Sequence, residues 1–75
     1  MRVTALYFAT LRERRGTPSE PVELPEGTTA RGAFVRIFPG LDLTVAYAVN
    51  RATVASDTVL VDGDEVAFLP PLGGG

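Results

Sequence analysis

The 75-residue sequence contains no cysteine, no histidine, no lysine and no tryptophan. Without cysteine it can form neither a disulfide nor a thiolate metal site. Without histidine it lacks the commonest general base and the commonest metal ligand. Without lysine it offers no side-chain amine for chemistry and no acceptor for an isopeptide bond. These absences argue against self-contained catalysis, and we expect the chain to bind no metal and no cofactor of its own.

Long apolar runs are also missing, and the N-terminus does not have the pattern of a signal peptide. The chain is therefore expected to be cytoplasmic, with no membrane as a partner. Seven arginines stand against nine acidic residues, for a net charge of −2. A balance of this kind does little to hold a phosphate backbone, so nucleic acid is not expected as a partner. The length is enough for one small domain.

Alternation in the first segment, residues 2–9, predicts a β-strand with two unlike faces. Val3, Ala5 and Tyr7 point to one face. The opposite face is polar at Arg2 and Thr4, but it becomes apolar at Leu6 and Phe8. An outward face that turns apolar towards its end is typical of a docking patch.

The rest of the chain alternates between turn signals and short periodic segments. We expect the following elements: a helical turn over 10–15 closed by Gly16, a strand over 21–24, a helix over 30–38 capped by Thr28 or Thr29, a strand over 44–49 ending in an Asn50-Arg51 turn, extended pieces over 53–61, and a last strand over 65–69 after the turn Asp62-Gly63-Asp64. This order predicts an α+β fold, in which one main helix packs across one face of a small mixed sheet. Residues 1–71 are expected to form the domain and residues 72–75 a flexible tail.

The last strand repeats the pattern of the first. Val66 and Phe68 share the inward face, whereas Leu69 lies on the outward face near the point where the strand ends. We therefore expect Phe68 to be buried, and Phe8 and Leu69 to be exposed.

The chain ends in Gly73-Gly74-Gly75, directly behind Pro70, Pro71 and Leu72. The prolines favour a polyproline-like exit in a defined direction. Four extended residues reach roughly 13 Å, and glycines without Cβ can enter a narrow channel. Adenylation by ATP would activate the terminal carboxylate, and a sulfur donor could then convert it to a thiocarboxylate. None of these steps needs cysteine, histidine or lysine on this chain, although the tail could also be a floppy end without function.

Two charged clusters are interpreted mainly as structural features and not as binding sites. The acidic group Asp57, Asp62, Asp64 and Glu65 lacks the spacing of a calcium loop, so we interpret Asp62-Gly63-Asp64 as a structural turn. The basic group Arg12, Arg14 and Arg15 could dock an acidic surface, although a solvated helix face accounts for most of it.

The family that this chain resembles is the small subunit of molybdopterin synthase, a family of ubiquitin-like β-grasp sulfur carriers. Four segments carry the resemblance: Leu6-Tyr7-Phe8-Ala9 followed by Leu11-Arg12-Glu13, then Ala48-Val49-Asn50, then residues 62–71 (DGDEVAFLPP), then the terminal glycines. The family implies activation by an E1-like adenylating enzyme that uses ATP. It implies a sulfur donor such as a cysteine desulfurase or a rhodanese. It also implies a large synthase subunit, expected in a heterotetramer, whose own catalytic residues pass the sulfur to cyclic pyranopterin monophosphate to build the dithiolene of molybdopterin.

The resemblance also implies roles for individual residues. Gly75 would be the carrier terminus, adenylated and then thiocarboxylated, with Gly74 as its required neighbour. Partner contacts would come from Phe8, Arg12, Leu69, Pro70, Pro71, Leu72 and Gly73. The chain departs from the family at Gly73, where a serine, threonine or alanine is more usual, and at Thr53, where a larger apolar contact residue is expected. At Thr53 the chain therefore lacks the apolar partner contact that the family implies.

Three alternatives stay open on the sequence. A related β-grasp carrier would serve thiamine synthesis or tRNA thiolation. A ubiquitin-like modifier would be joined to lysines of target proteins through Gly75. A plain interaction module would function equally well without Gly74 and Gly75.

Overall fold

The structure is a computed structural model, and it describes residues 1–71. In chain order the elements are β1 (Arg2–Tyr7), α1 (Ala9–Arg15), β2 (Ser19–Glu23), α2 (Ala30–Ile37), β3 (Ala46–Val49), β4 (Ala52–Val54) and β5 (Glu65–Leu69). The strands form one sheet in the order β2-β1-β5-β3-β4, in which β1 and β5 are parallel and the other pairs are antiparallel. The predicted α+β architecture with a small mixed sheet is confirmed.

The main helix, α2, begins where the sequence predicts. The Thr29 side chain accepts a hydrogen bond from the backbone N–H of Gly32 at 3.0 Å, which satisfies one of the amides at the helix start. The helix ends at Ile37, just before the helix-breaking pair Pro39-Gly40. Its buried residues recur at helical spacing and pack on the sheet: Ala30, Ala33, Phe34 and Ile37. The helix therefore covers one face of the sheet, which we call the inner face.

Aromatic rings fill the space between α2 and the inner face. Phe34 of the helix lies 5.5 Å from Phe68 and 6.5 Å from Tyr47, measured between ring centroids, and both contacts are edge-to-face. Tyr7 stacks on Phe68 at 6.3 Å and meets Phe38 edge-on at 5.5 Å. Aromatic pairs in these geometries stabilise a core beyond the area they bury. A small domain gains much of its core from this one cluster.

The boundaries of several strands differ from the predicted ones. β1 ends at Tyr7 rather than at residue 9, because Ala9 has φ 51° and begins α1. β2 begins at Ser19, two residues early, since Ser19 and Glu20 also pair with β1. β2 is an edge strand, so Pro21 can lie in it without removing an inter-strand hydrogen bond. β3 begins only at Ala46.

Residues 53–61, predicted as short extended pieces, contain the end of β4 and a single bridge between Val59 and Thr29. The turn at Asp62-Gly63-Asp64 and the strand that follows it form as predicted. The two helices of the described chain have 7 and 8 residues, and neither is long and apolar enough to cross a membrane.

Candidate functional site

The point where the chain leaves the sheet lies in an exposed apolar groove. β5 runs parallel to β1 with Tyr7 opposite Phe68, so the next residues, Phe8 and Leu69, end side by side at the same edge. Phe8 is 44% exposed and Leu69 is 37% exposed, whereas Phe68 is fully buried. Phe8 and Leu69 line the groove together with Ala9 and Pro70. The predicted exposure of Phe8 and Leu69 and the predicted burial of Phe68 are confirmed.

Ala9 holds Phe8 in this position. Phe8 has an extended backbone and is the N-cap of α1, while Ala9 takes φ 51° in the left-handed region that an alanine rarely adopts. The Phe8 carbonyl accepts the first helical hydrogen bond, from the N–H of Leu11 at 3.1 Å. The chain therefore turns sharply after β1, and the Phe8 ring stays outside the core.

The sheet face opposite α2, which we call the outer face, has a central row of small or apolar side chains. The register places one residue of each strand in line: Ser19, Leu6, Ala67, Ala48 and Thr53. A wider groove on this face is lined by Leu6, Phe8, Ala48, Arg51, Glu65, Ala67 and Leu69. Small side chains at the centre let a partner approach the sheet closely. The outer face therefore continues the apolar surface that starts at the tail.

The end of the outer face away from the tail is held by a network around Asn50. Its side chain donates to Asp64 Oδ1 at 3.0 Å and accepts from the N–H of Glu65 at 3.0 Å. The other Asp64 oxygen accepts the N–H of Val61 at 2.8 Å. Asp64 is only 8% exposed, and these bonds satisfy its buried carboxylate. Asp64 therefore has a structural role that joins the β3–β4 turn to the start of β5.

Asp62, in the same predicted turn, also makes a structural contact. One carboxylate oxygen accepts the N–H of Arg2 at 2.7 Å, and the Arg2 carbonyl accepts the N–H of Gly63 at 2.9 Å. Within residues 1–71, no three acidic side chains come close enough together to hold a metal ion. The structural interpretation of this acidic turn agrees with its contacts.

Arg12 lies on α1, one turn after Phe8. Its backbone N–H donates to the Phe8 carbonyl at 3.5 Å, and its side chain is exposed. Arg12 is not among the residues that line the two apolar grooves. The structure therefore brings Phe8, Leu69 and Pro70 together and leaves Arg12 at the side of that patch.

A cluster of Tyr7, Arg15 and Glu20 was not anticipated from the sequence. The Tyr7 hydroxyl donates to Glu20 Oε2 at 2.6 Å, and Arg15 Nε donates to the same oxygen at 2.7 Å. Burial, followed by the bond to Glu20, raises the pKa of Tyr7, and the bond from Tyr7 lowers the pKa of Glu20. The bond to Glu20 also raises the pKa of Arg15. This cluster ties the end of α1 to β2, and so fixes the helix for which Phe8 is the N-cap.

One sequence signal could have revealed this cluster. Tyr7 shares the inward face with Val3 and Ala5, and a buried tyrosine hydroxyl needs a hydrogen-bond partner. The partner is not evident from the sequence, because Glu20 is 13 residues away and reaches Tyr7 only through strand pairing. Arg14 and Arg12 of the same basic segment are exposed, as expected for most of that helix face.

The remaining predicted site residues lie at the end of the chain. Pro70 is half-buried beside Phe8, and Pro71 is exposed. The predicted roles of Leu72, Gly73, Gly74 and Gly75 concern positions outside the described residues. Thr53 is exposed at the β4 end of the central outer row.

Comparison with known proteins identifies the family. A model of the ThiS family matches residues 5–75. The chain belongs to the ThiS family. The chain is 39% identical to the molybdopterin synthase sulfur carrier subunit of Mycobacterium tuberculosis, over 100% of this chain and 99% of that protein. It is 37% identical to the subunit of the same name from Chlamydomonas reinhardtii, over the full length of both.

Solved structures agree with the fold. A putative molybdopterin converting factor subunit 1 from Pyrococcus furiosus superposes with a TM-score of 0.82 at 31% identity, covering 96% of this chain and 99% of that one. Two others support the fold alone. They are small archaeal modifier protein 1 of Haloferax volcanii (TM-score 0.77, 22% identity, 95% and 98% covered) and the complex of subunits 1 and 2 of molybdopterin-converting factor from Helicobacter pylori (TM-score 0.60, 20% identity, 100% of both covered). The predicted ubiquitin-like β-grasp fold is confirmed.

Proposed function

We propose that this chain is the sulfur carrier subunit of a molybdopterin synthase, and that it carries sulfur as a thiocarboxylate on Gly75. The observation that carries the proposal is the placement of the chain exit. The central strand β5 ends at Leu69, which lies with Pro70 beside the exposed Phe8 on an apolar surface suited to docking. The sequence continues from there through Pro71 and Leu72 to the glycines. The full-length similarity to two sulfur carrier subunits supports the same function.

The proposed chemistry needs no reactive side chain on this chain. A carboxylate is a poor electrophile, so an E1-like enzyme first joins it to AMP at the expense of ATP. The terminal sulfur of a persulfide on a desulfurase or a rhodanese then attacks the acyl carbon and displaces AMP to give an acyl disulfide. A thiol cleaves the S–S bond of this intermediate, forms a disulfide with the donor sulfur, and leaves the thiocarboxylate at Gly75. No side chain of the carrier takes part, which agrees with a sequence that lacks cysteine, histidine and lysine. The carrier binds no cofactor itself in this scheme, and the ATP-dependent step belongs in the cytoplasm.

The main partner in this proposal is the large synthase subunit. Its active site would receive Gly74 and Gly75, and its residues would catalyse transfer to cyclic pyranopterin monophosphate. A dithiolene contains two sulfurs and each carrier brings one, so two loaded carriers are consumed for each product. A heterotetramer with two carriers matches this stoichiometry. The complex known for the Helicobacter pylori protein, which shares the fold, is consistent with such a pairing.

Intact-mass spectrometry tests the loading step. The protein is incubated with ATP, a sulfur donor and the E1-like enzyme of the same organism. We expect a gain of about 16 Da, from the exchange of oxygen for sulfur at a glycine terminus left accessible by its lack of Cβ. The control variant lacks Gly74 and Gly75, and should show no gain while keeping its thermal midpoint. No gain in the full chain with a competent activating enzyme would contradict the carrier function.

Adding the large subunit and the pterin precursor to the loaded carrier tests the pathway. We expect the mass gain to disappear as molybdopterin forms. A thiocarboxylate that forms but is not consumed would point to a carrier for thiamine synthesis or tRNA thiolation. Recovery of lysine-linked conjugates instead would indicate a protein modifier.

A further inference from the structure

Three residues other than glycine take left-handed backbone conformations within residues 1–71. They are Ala9, with φ 51°, Asn50, with φ 50°, and Arg51, with φ 71°. Asparagine tolerates this region, and the Asn50 side chain is fixed there by Asp64 and Glu65. Alanine and arginine have no such preference, and no side-chain hydrogen bond within the described chain explains either one. Their conformations therefore need another reason.

The conformation of Arg51 follows from a tight hairpin. Val49 pairs with Ala52, so Asn50 and Arg51 form a two-residue loop between β3 and β4. Positive φ at both positions is the hallmark of a type I′ turn, in which glycine is strongly favoured at the second position. An Asn-Gly sequence would form the same turn without strain. Arginine therefore occupies a position where glycine would be easier to accommodate.

The two strained residues lie at opposite ends of one surface. Arg51 lines the outer-face groove with Ala48 and Ala67, and Ala9 lines the groove at the chain exit with Phe8. Left-handed backbone at residues other than glycine is costly, and such strain clusters at functional sites. Ala9 and Arg51 line two grooves that share Phe8 and Leu69, so we treat the surface from the exit to the β3–β4 turn as one docking surface.

Charge suggests what Arg51 contacts. Arg51 is exposed, and no carboxylate oxygen of residues 1–71 lies within 4.0 Å of its guanidinium, not even that of Glu65, which lines the same groove. An arginine at the rim of an apolar surface binds a carboxylate through two parallel hydrogen bonds when a partner supplies one. A complementary docking protein would therefore place an acidic residue opposite this turn.

We propose that Arg51 is the distal anchor of the docking surface and binds a carboxylate on the large synthase subunit. The inference rests on the proposed function and deepens it. The tail and Phe8 hold one end of the interface, and Arg51 holds the other, across the row of small side chains at the centre. Anchors at both ends would fix the orientation of the carrier, so that its terminus enters the active site in one direction.

The decisive variants are Arg51→Gly and Arg51→Gln, compared with Arg36→Gln on α2. Arg36 is exposed on the helix that covers the inner face, so Arg36→Gln makes the same charge change away from the proposed surface. The dissociation constant for the large subunit is measured by calorimetry at two salt concentrations, together with the thermal midpoint of each carrier. We expect both Arg51 variants to bind about tenfold more weakly and to lose most of the salt dependence, and Arg36→Gln to bind like the native chain.

Arg51→Gly should also show an effect of opposite sign on stability. Because glycine removes the strain of the turn, its thermal midpoint should be equal to or above that of the native carrier. Equal weakening by Arg51→Gln and Arg36→Gln would overturn the proposal, since only net charge would then matter. A lowered midpoint for Arg51→Gly would overturn the strain argument. Weakening limited to the activating enzyme would overturn the choice of partner. If the native carrier does not bind the large subunit at all, the proposed function itself fails.

Discussion

Neighbouring residues on the two faces of this sheet differ sharply in exposure. Tyr7 and Phe68 on the inner face are 1% and 0% exposed, whereas the next residues along the chain, Phe8 and Leu69, are 44% and 37% exposed. The same pair of parallel strands therefore supplies the aromatic core with one residue and the candidate docking patch with the next. This difference shows that large apolar side chains have different roles on the two faces of the sheet. The inner ones stabilise the fold, and the outer ones are available for binding.

The largest expected effect is the difference in stability between Phe68→Ala and Leu69→Ala. Phe68→Ala removes a fully buried ring that contacts Tyr7, Phe34 and Tyr47, and should lower the free energy of unfolding by about 3–5 kcal/mol. Leu69→Ala should lower it by only about 1–1.5 kcal/mol, because 37% of that residue is already exposed. Urea unfolding of the two variants measures both values. Similar losses in the two variants would break the comparison between the faces.

Phe8→Ala should change binding more than stability. Because 44% of Phe8 is exposed, we expect a much smaller change in thermal midpoint than for a fully buried ring. Loss of an aromatic anchor from an interface costs about 2 kcal/mol or more, which weakens binding to the large subunit about 30-fold. Phe38→Ala is the matched control on the inner side, where Phe38 is 7% exposed, and it should lower the midpoint strongly. Unchanged binding with a strongly lowered midpoint for Phe8→Ala would assign Phe8 to the core.

The cluster at the edge of the inner face predicts a dependence of stability on pH. The folded-state pKa of Glu20 is lowered, so its contribution to stability is present above the ordinary carboxyl value of 4.5 and is lost as the pH falls through the folded pKa. The stability advantage of the native chain over Glu20→Gln should therefore shrink below pH 4.5. Urea unfolding of both proteins from pH 7 to pH 3 measures it. A constant difference across this range would show that Glu20 does not contribute through its charge.

The smallest expected effect concerns Thr53 at the edge of the outer face. A leucine there would extend the apolar row next to Ala48 without entering the core. Additional apolar contact of about 1 kcal/mol would tighten binding to the large subunit about fivefold. Calorimetry with Thr53→Leu measures this change, and the thermal midpoint should stay the same. Unaltered affinity would place Thr53 outside the interface and limit the docking surface to the other strands.

Much of the fold could be predicted from local patterns. The inward and outward residues of β1 and β5, the threonine cap of α2 and the turns at Gly16, Asn50 and Asp62-Gly63-Asp64 all follow from alternation or from turn chemistry. The least accurate strand boundaries were the end of β1 and the starts of β2 and β3, each misplaced by two residues. The start of a strand depends on which neighbour it pairs with, and pairing between distant segments leaves no clear local signal.

In the candidate site, too, some features follow from local patterns and others depend on the pairing of distant strands. Exposure of Phe8 and Leu69 follows from alternation, but their contact requires β1 and β5 to be parallel neighbours, although they are separated by most of the chain. The strain at Ala9 and Arg51 could not be read from residue types, because neither alanine nor arginine signals a left-handed backbone. The bond between Tyr7 and Glu20 likewise depends on the pairing of β1 with β2.

By itself, the sequence determined the chemistry available to this protein. A chain without cysteine, histidine and lysine has few side chains able to catalyse. It also determined which residues face inwards, because alternation is a property of each strand alone. Only the tertiary structure decided that the exit of the chain, the exposed Phe8 and the strained Arg51 share one face. That arrangement depends on strand order and register, and these are set by packing the whole sheet against one helix.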